Sequence, residues 1–215
     1  MTIVLATQNP GKLAELRALF APLAVEVVSI RDVAPGYVAP PEDGATFEDN
    51  ATKKAVAAAA ATQLVAIADD SGLEVDALGG RPGVRSARYA REGATDAENN
   101  ATLLDALQEV DDAVRTARFR CVIALCDPFA DPRATIRVEG RCEGAIARSP
   151  RGESGFGYDP LFVVQGSDRT FAELGESEKN GISHRGKAAR ALLGHVETLV
   201  AARLAEAKRV YGGAS

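Results

Sequence analysis

Hydrophobic positions arrive in short blocks whose period changes along the chain, and the changes outline an α/β fold with a mixed sheet. Residues 2–6, Thr-Ile-Val-Leu-Ala, form an apolar run that predicts a short buried strand. Pro10-Gly11 breaks it, and Leu13, Leu16, Leu19 and Phe20 then recur at helical spacing. Val25 to Ile30 predicts a second strand, and the proline- and glycine-rich stretch 33–45 a loop. A helix is expected from Thr46, whose hydroxyl can cap the first turn with Asp49 three residues on; it runs through Lys54 and Ala57 to Ala61. Leu64 to Ala68 predicts a central strand covered on both faces, ended by Asp69-Asp70-Ser71-Gly72. Residues 79–83 read as a loop, and Asp96 to Leu107 as a helix burying Leu103, Leu104 and Leu107.

The period then drops to two. Phe119, Cys121, Ile123 and Leu125 alternate with Arg118, Arg120, Val122 and Ala124, the pattern of a half-buried strand. A turn at 127–132 leads into a long partner strand, Thr135 to Ala147, interrupted by Gly140 and Gly144, so the pair predicts an antiparallel hairpin. A loop over 152–160, a short strand over 161–164, a polar loop before residue 186 and a last helix over 186–208 complete the order. There is no internal repeat and no linker, and Gly212 to Ser215 reads as a frayed end.

Composition narrows the class. At 215 residues, 46% hydrophobic and 26% charged, the chain is long enough for a real core, and one domain over residues 1–211 is expected. Forty alanines favour helices with tight, small-residue packing. A net charge of −5 argues against a general nucleic-acid or membrane surface, while leaving room for a small anion held by local cations. No apolar run approaches a membrane span, and the N-terminus lacks the pattern of a signal peptide. Cys121, Cys126 and Cys142 are odd in number and contain no CxxC pair, which argues against a disulfide framework or a zinc knuckle. A reduced, cytoplasmic protein is expected.

Four polar clusters carry candidate chemistry. Thr7-Gln8-Asn9-Pro10-Gly11-Lys12 lies between the first strand and the first helix, where backbone N–H groups and the helix dipole favour an anion; a plain capped turn is the alternative. Asp69-Asp70-Ser71-Gly72 sits at a strand end, where two adjacent carboxylates call for a cation and suit Mg²⁺; a solvated turn is the alternative. Glu48-Asp49, in a first helical turn, suits the dipole or a metal. The last cluster is split. Phe156 and Tyr158 stand in a glycine-rich loop over 154–160 that could stack on a base, and residues 178–187 gather Lys179, Ser183, His184 and Arg185 before the last helix.

In this order the clusters resemble the inosine/xanthosine triphosphate pyrophosphatase (Ham1-like) family. The matching segments are residues 7–12, 46–51, 68–73, 80–84, 86–89, 156–160 and 178–186. The resemblance implies two lobes around a long mixed sheet, a nucleotide in the cleft between them, and a homodimer. It implies Mg²⁺-dependent hydrolysis of ITP, dITP and XTP to the monophosphate and pyrophosphate, which keeps deaminated purines out of the nucleotide pool. Asp70 would be the general base and a metal ligand, with Asp69 helping to hold the metal. Asp49 stands where the family usually has glutamate, and Glu48 is an alternative ligand. Thr7, Gln8, Asn9, Pro10, Gly11 and Lys12 would bind the triphosphate, with Ser71 and Lys179 also on the nucleotide. Phe156 would stack on the base, with Gly157, Tyr158 and Asp159 shaping its pocket, and His184 and Arg185 would read the 6-keto edge. No GxSxG elbow exists for a serine hydrolase. A pyrimidine-directed pyrophosphatase of the Maf type and a non-catalytic nucleotide sensor are the competing readings.

Overall fold

The computed structural model describes residues 1–7, 9–21 and 25–211; Gln8 and the expected frayed end at Gly212 to Ser215 lie outside the described residues. Six strands form one mixed sheet in the order β2-β1-β3-β4-β5-β6. They are β1 (Thr2–Leu5), β2 (Glu26–Ser29), β3 (Val65–Val75), β4 (Thr116–Cys126), β5 (Ile136–Ile146) and β6 (Phe162–Val164). β1 runs parallel to β2 and β3, and the remaining pairs are antiparallel. The helices are α1 (Pro10–Phe20), the short α2 (Ile30–Val33), α3 (Phe47–Thr62), α4 (Asp96–Ala106), α5 (Glu176–Ile182) and α6 (His184–Tyr211).

Three apolar clusters anchor this sheet. On one face Ile3, Leu5, Val65, Ile67, Cys121 and Ile123 pack under α1 and α6, through Leu16, Phe20, Leu192 and Val196. On the other, Val4, Ala66, Ala68, Val122 and Ala124 pack under α3, whose Ala51, Ala55, Ala58 and Ala59 let the helix approach closely. The far halves of β3–β5 build a separate core of Leu73, Val75, Phe119, Phe162 and Phe171 with Leu103 of α4 and Leu107 just beyond its end. The long strands β3, β4 and β5 therefore contribute to more than one of these clusters.

Several expectations change. Asp69-Asp70-Ser71-Gly72 does not end a strand; β3 continues to Val75, because these residues pair with Ile123, Val122, Cys121 and Arg120 of β4. Local turn preference yields to an eleven-residue ladder. β4 is half-buried only at its start, and from Cys121 to Cys126 both faces are covered. β5 passes Gly140 and Gly144 without a break. These glycines mark close approach: a Cβ on Gly140 would run into the carbonyl oxygen of His184, and one on Gly144 into that of Val163. The loop expected before residue 186 contains α5, and α6 begins at His184.

Candidate active site

β1 covers β3 only as far as Ile67, where the Ala6 amide donates to the Ile67 carbonyl at 2.8 Å. Beyond that point the β3 edge turns toward a cleft of about 400 Å³. This is the C-terminal end of a parallel pair, where open α/β sheets gather ligands. Side chains from both faces of β3 reach the opening, since successive residues point opposite ways.

Asp69 points to the α1/α6 side. Its Oδ2 lies 3.0 Å from Lys12 Nζ and 3.3 Å from Arg185 Nε. Arg185 also pairs with Glu15 of α1 and donates to Ser71 Oγ at 3.0 Å. Glu15 accepts from Lys179 Nζ at 3.1 Å, and Lys179 reaches Asp159 at 2.7 Å. The result is an alternating chain of charges, Lys12–Asp69–Arg185–Glu15–Lys179–Asp159, buried from Asp69 onward. Burial alone would raise the Asp69 carboxyl, but Lys12, Arg185 and Lys54 outweigh it and hold the group well below the carboxylate range. Its Oδ1 is buried without a protein partner. Asn9 caps α1 by accepting the Lys12 amide at 3.1 Å, and its own amide donates to Thr7 Oγ1.

Asp70 points to the α3 side. It accepts from Asn50 Nδ2 and from Lys54 Nζ, each at 3.1 Å. Burial raises its pKa, opposed chiefly by Lys54 and Lys12. Lys54 also reaches Glu42 at 2.6 Å, so Glu42 and Asp70 converge on one ammonium. Asp49 is elsewhere: it is exposed and accepts the Thr46 amide at 3.2 Å as half of a capping box. Glu48 pairs with Arg120 at 3.3 Å. Neither lines the cleft. Among the described residues no three His, Cys, Asp or Glu side chains form a metal cluster. Mg²⁺ asks less than that, since it takes one or two carboxylates and completes its shell with water and phosphate oxygens. Two carboxylates already aimed at one cation fit such an ion.

The aromatic loop closes the opposite side. Phe156 lies under Lys179 Nζ at 5.1 Å and Arg185 Cζ at 5.6 Å from its ring centre. Asp159 accepts the Phe156 amide at 2.9 Å, and Gly157 is fastened to α4 by Asp96 and Asn100. Tyr158 is mainly part of the far core; its hydroxyl donates to the Ser86 carbonyl at 2.8 Å. His184 stacks on Phe119 at 4.7 Å and has an unpartnered, buried Nδ1. Burial, with Arg185 and Lys179 beside it, pushes its pKa well down, so the ring is neutral. Thr7, Asn9, Lys12, Asp69, Asp70, Ser71, Phe156, Gly157, Tyr158, Asp159, Lys179, His184 and Arg185 thus meet in one cleft. Gln8 lies outside the described residues, and Pro10 and Gly11 open α1.

Sequence reasoning gave no role to Glu15, Glu42 or Lys54. Lys54 was findable, because it follows Asn50 by one turn on the stripe that buries Phe47, Ala51 and Ala55. Glu15 follows Lys12 by three residues on the buried side of α1. Glu42 stands in a loop without periodicity and gave no signal.

A statistical model of the Ham1 family matches residues 3–195. The chain belongs to the Ham1 family. Among Ham1 relatives, the dITP/XTP pyrophosphatase of Desulforamulus reducens is 57% identical over 189 residues, 87% of this chain and 92% of that protein. That of Thermus thermophilus is 52% identical over 90% of each chain. The HAM1 protein of Coxiella burnetii superposes with a TM-score of 0.84 at 47% identity, covering 92% of this chain and 99% of the other.

Proposed function

We propose that this Ham1 family member hydrolyses non-canonical purine nucleoside triphosphates, ITP, dITP and XTP, to the monophosphate and pyrophosphate, and so cleanses the nucleotide pool. The observation that carries the mechanism is Asp70, a buried carboxylate of raised pKa held by Asn50 and Lys54 at the mouth of a cation-rich cleft. The relatives named dITP/XTP pyrophosphatase supply the substrate class.

Lys12, Lys54 and the N-terminus of α1 bind the phosphates. Asp70 and Glu42 would hold Mg²⁺, with Asp69 beside them. When bound, the ion would polarise the α-phosphate and neutralise its developing charge. Asp70 accepts a proton from water as the water oxygen bonds to the α-phosphorus. The bond from that phosphorus to the bridging oxygen breaks, and pyrophosphate leaves with the electron pair. Phe156 offers its ring to the base. Recognition of the 6-keto group falls to neutral His184, because Arg185 is already committed to Asp69, Glu15 and Ser71. An Nδ1–H donor facing O6 suits hypoxanthine and xanthine and is left unpaired by adenine.

The same proposal places the enzyme in the cytoplasm as a single two-lobed domain that forms a homodimer, without nucleic-acid or membrane partners. The net charge of −5 argues against a general nucleic-acid or membrane surface, and among the described residues no helix is long and apolar enough to cross a membrane.

The test is pyrophosphate release with ITP, XTP, GTP, ATP and UTP, with and without Mg²⁺. Metal-dependent release from ITP and XTP far above the others is expected. Binding without release would favour a sensor, and orthophosphate as product would place the cleavage at the wrong bond.

A further inference from the structure

Tyr37 lies on the strap between α2 and α3 and takes no part in the chemistry above. Its ring packs against the α3-side core, and the residue lines the cleft together with Pro40 and Glu42 of the same strap. Its hydroxyl is buried and has no hydrogen-bond partner. An unpartnered buried hydroxyl is costly, and native structures seldom keep one without a use. The oxygen is within electrostatic reach of Lys54, whose ammonium bridges Glu42 and Asp70. Lys54 is one of the cations assigned above to the phosphates, and it lines the same cleft as Tyr37. The phenol stays protonated, since burial raises its pKa, so it can donate.

We propose that Tyr37 is a substrate-binding residue whose hydroxyl donates a hydrogen bond to a phosphate oxygen of the bound nucleotide beside Lys54. The proposal rests on the nucleotide reading of the cleft and adds a neutral donor to its cations. It accounts for a polar atom that the protein alone leaves unsatisfied. It also gives the strap carrying Glu42 a direct hold on the substrate.

The variant Tyr37→Phe removes one oxygen and keeps the ring. Titration calorimetry without Mg²⁺, so that nothing turns over, would compare ITP with inosine on both proteins. About tenfold weaker ITP binding is expected, the worth of one hydrogen bond to a charged acceptor, with inosine unchanged. The melting temperature should hold or rise, because the lost group was unpaired. Equal ITP affinity in the two proteins would overturn the proposal. Equal weakening of ITP and inosine would move the contact to sugar or base and overturn it too, and a lower melting temperature would show a partner within the protein. Failure of the unaltered protein to bind ITP at all would instead sink the nucleotide reading.

Discussion

Asp70, the base proposed above, has fixed neighbours. Asn50 occupies one of its oxygens and Lys54 the other, and Asn50 is itself held by accepting the Gly44 amide at 2.8 Å. Asp70→Asn keeps the shape and removes the proton acceptor. Turnover of ITP should fall by roughly 10²–10⁴-fold with nucleotide binding retained, measured as kcat against an equilibrium titration. Near-normal turnover would take Asp70 out of the role. Gly11 is a second critical single position. A Cβ there would stand 2.8 Å from the Phe156 ring, so Gly11→Ala should displace the stacking platform. The expected signature is a raised KM for ITP with little change in melting temperature.

At the scale of elements, the first strand, the capped start of α3 and the β4–β5 hairpin were legible because each writes its period plainly. The acid pair was found but set on the wrong element. Asp, Ser and Gly favour turns locally, and only pairing with β4 turns them into a strand interior. α5 was hidden because its seven residues carry too few apolar positions to show a period. The candidate cluster was largely readable, while its ion-pair partners were not, since they join residues as distant as Glu15 and Arg185. Gly140 tests the packing of α6 on the sheet. Gly140→Ala forces a methyl group against helix backbone at His184 and should cost about 1–3 kcal/mol. For a chain of this size that lowers the melting temperature by roughly 2–4 °C per kcal/mol, readable by calorimetry.

At the scale of the molecule, the six-residue charge chain ties α1, β3, α6, α5 and the aromatic loop together across the cleft. Breaking such a chain in the middle leaves an uncompensated buried charge. Arg185→Met should therefore lower stability by about 3–5 kcal/mol in urea denaturation, well beyond the loss of one surface pair. A second electrostatic group acts at low pH. The N–H groups of Arg120, with burial opposing and Arg141 helping, hold the Glu139 carboxyl at about 2 against its ordinary 4.5. The stability this gives is present above 4.5 and is lost as pH falls toward 2. Glu139→Gln should flatten that limb of the acid-unfolding curve, followed by circular dichroism.

The alternation of β3 has a genetic corollary. Asp69 and Asp70 are spelled alike, and their different duties come from which side of the ribbon each occupies. Losing one codon between Val65 and Ala68 would leave the Asp-Asp word intact on paper. With the neighbouring strands fixed, each acid would move to the other side, and Asp70, the proposed proton acceptor, would face Arg185 in place of Lys54. A reading frame thus preserved, with every chemical letter present, should yield a silent enzyme, whereas Asp69→Glu leaves the phase of the strand untouched.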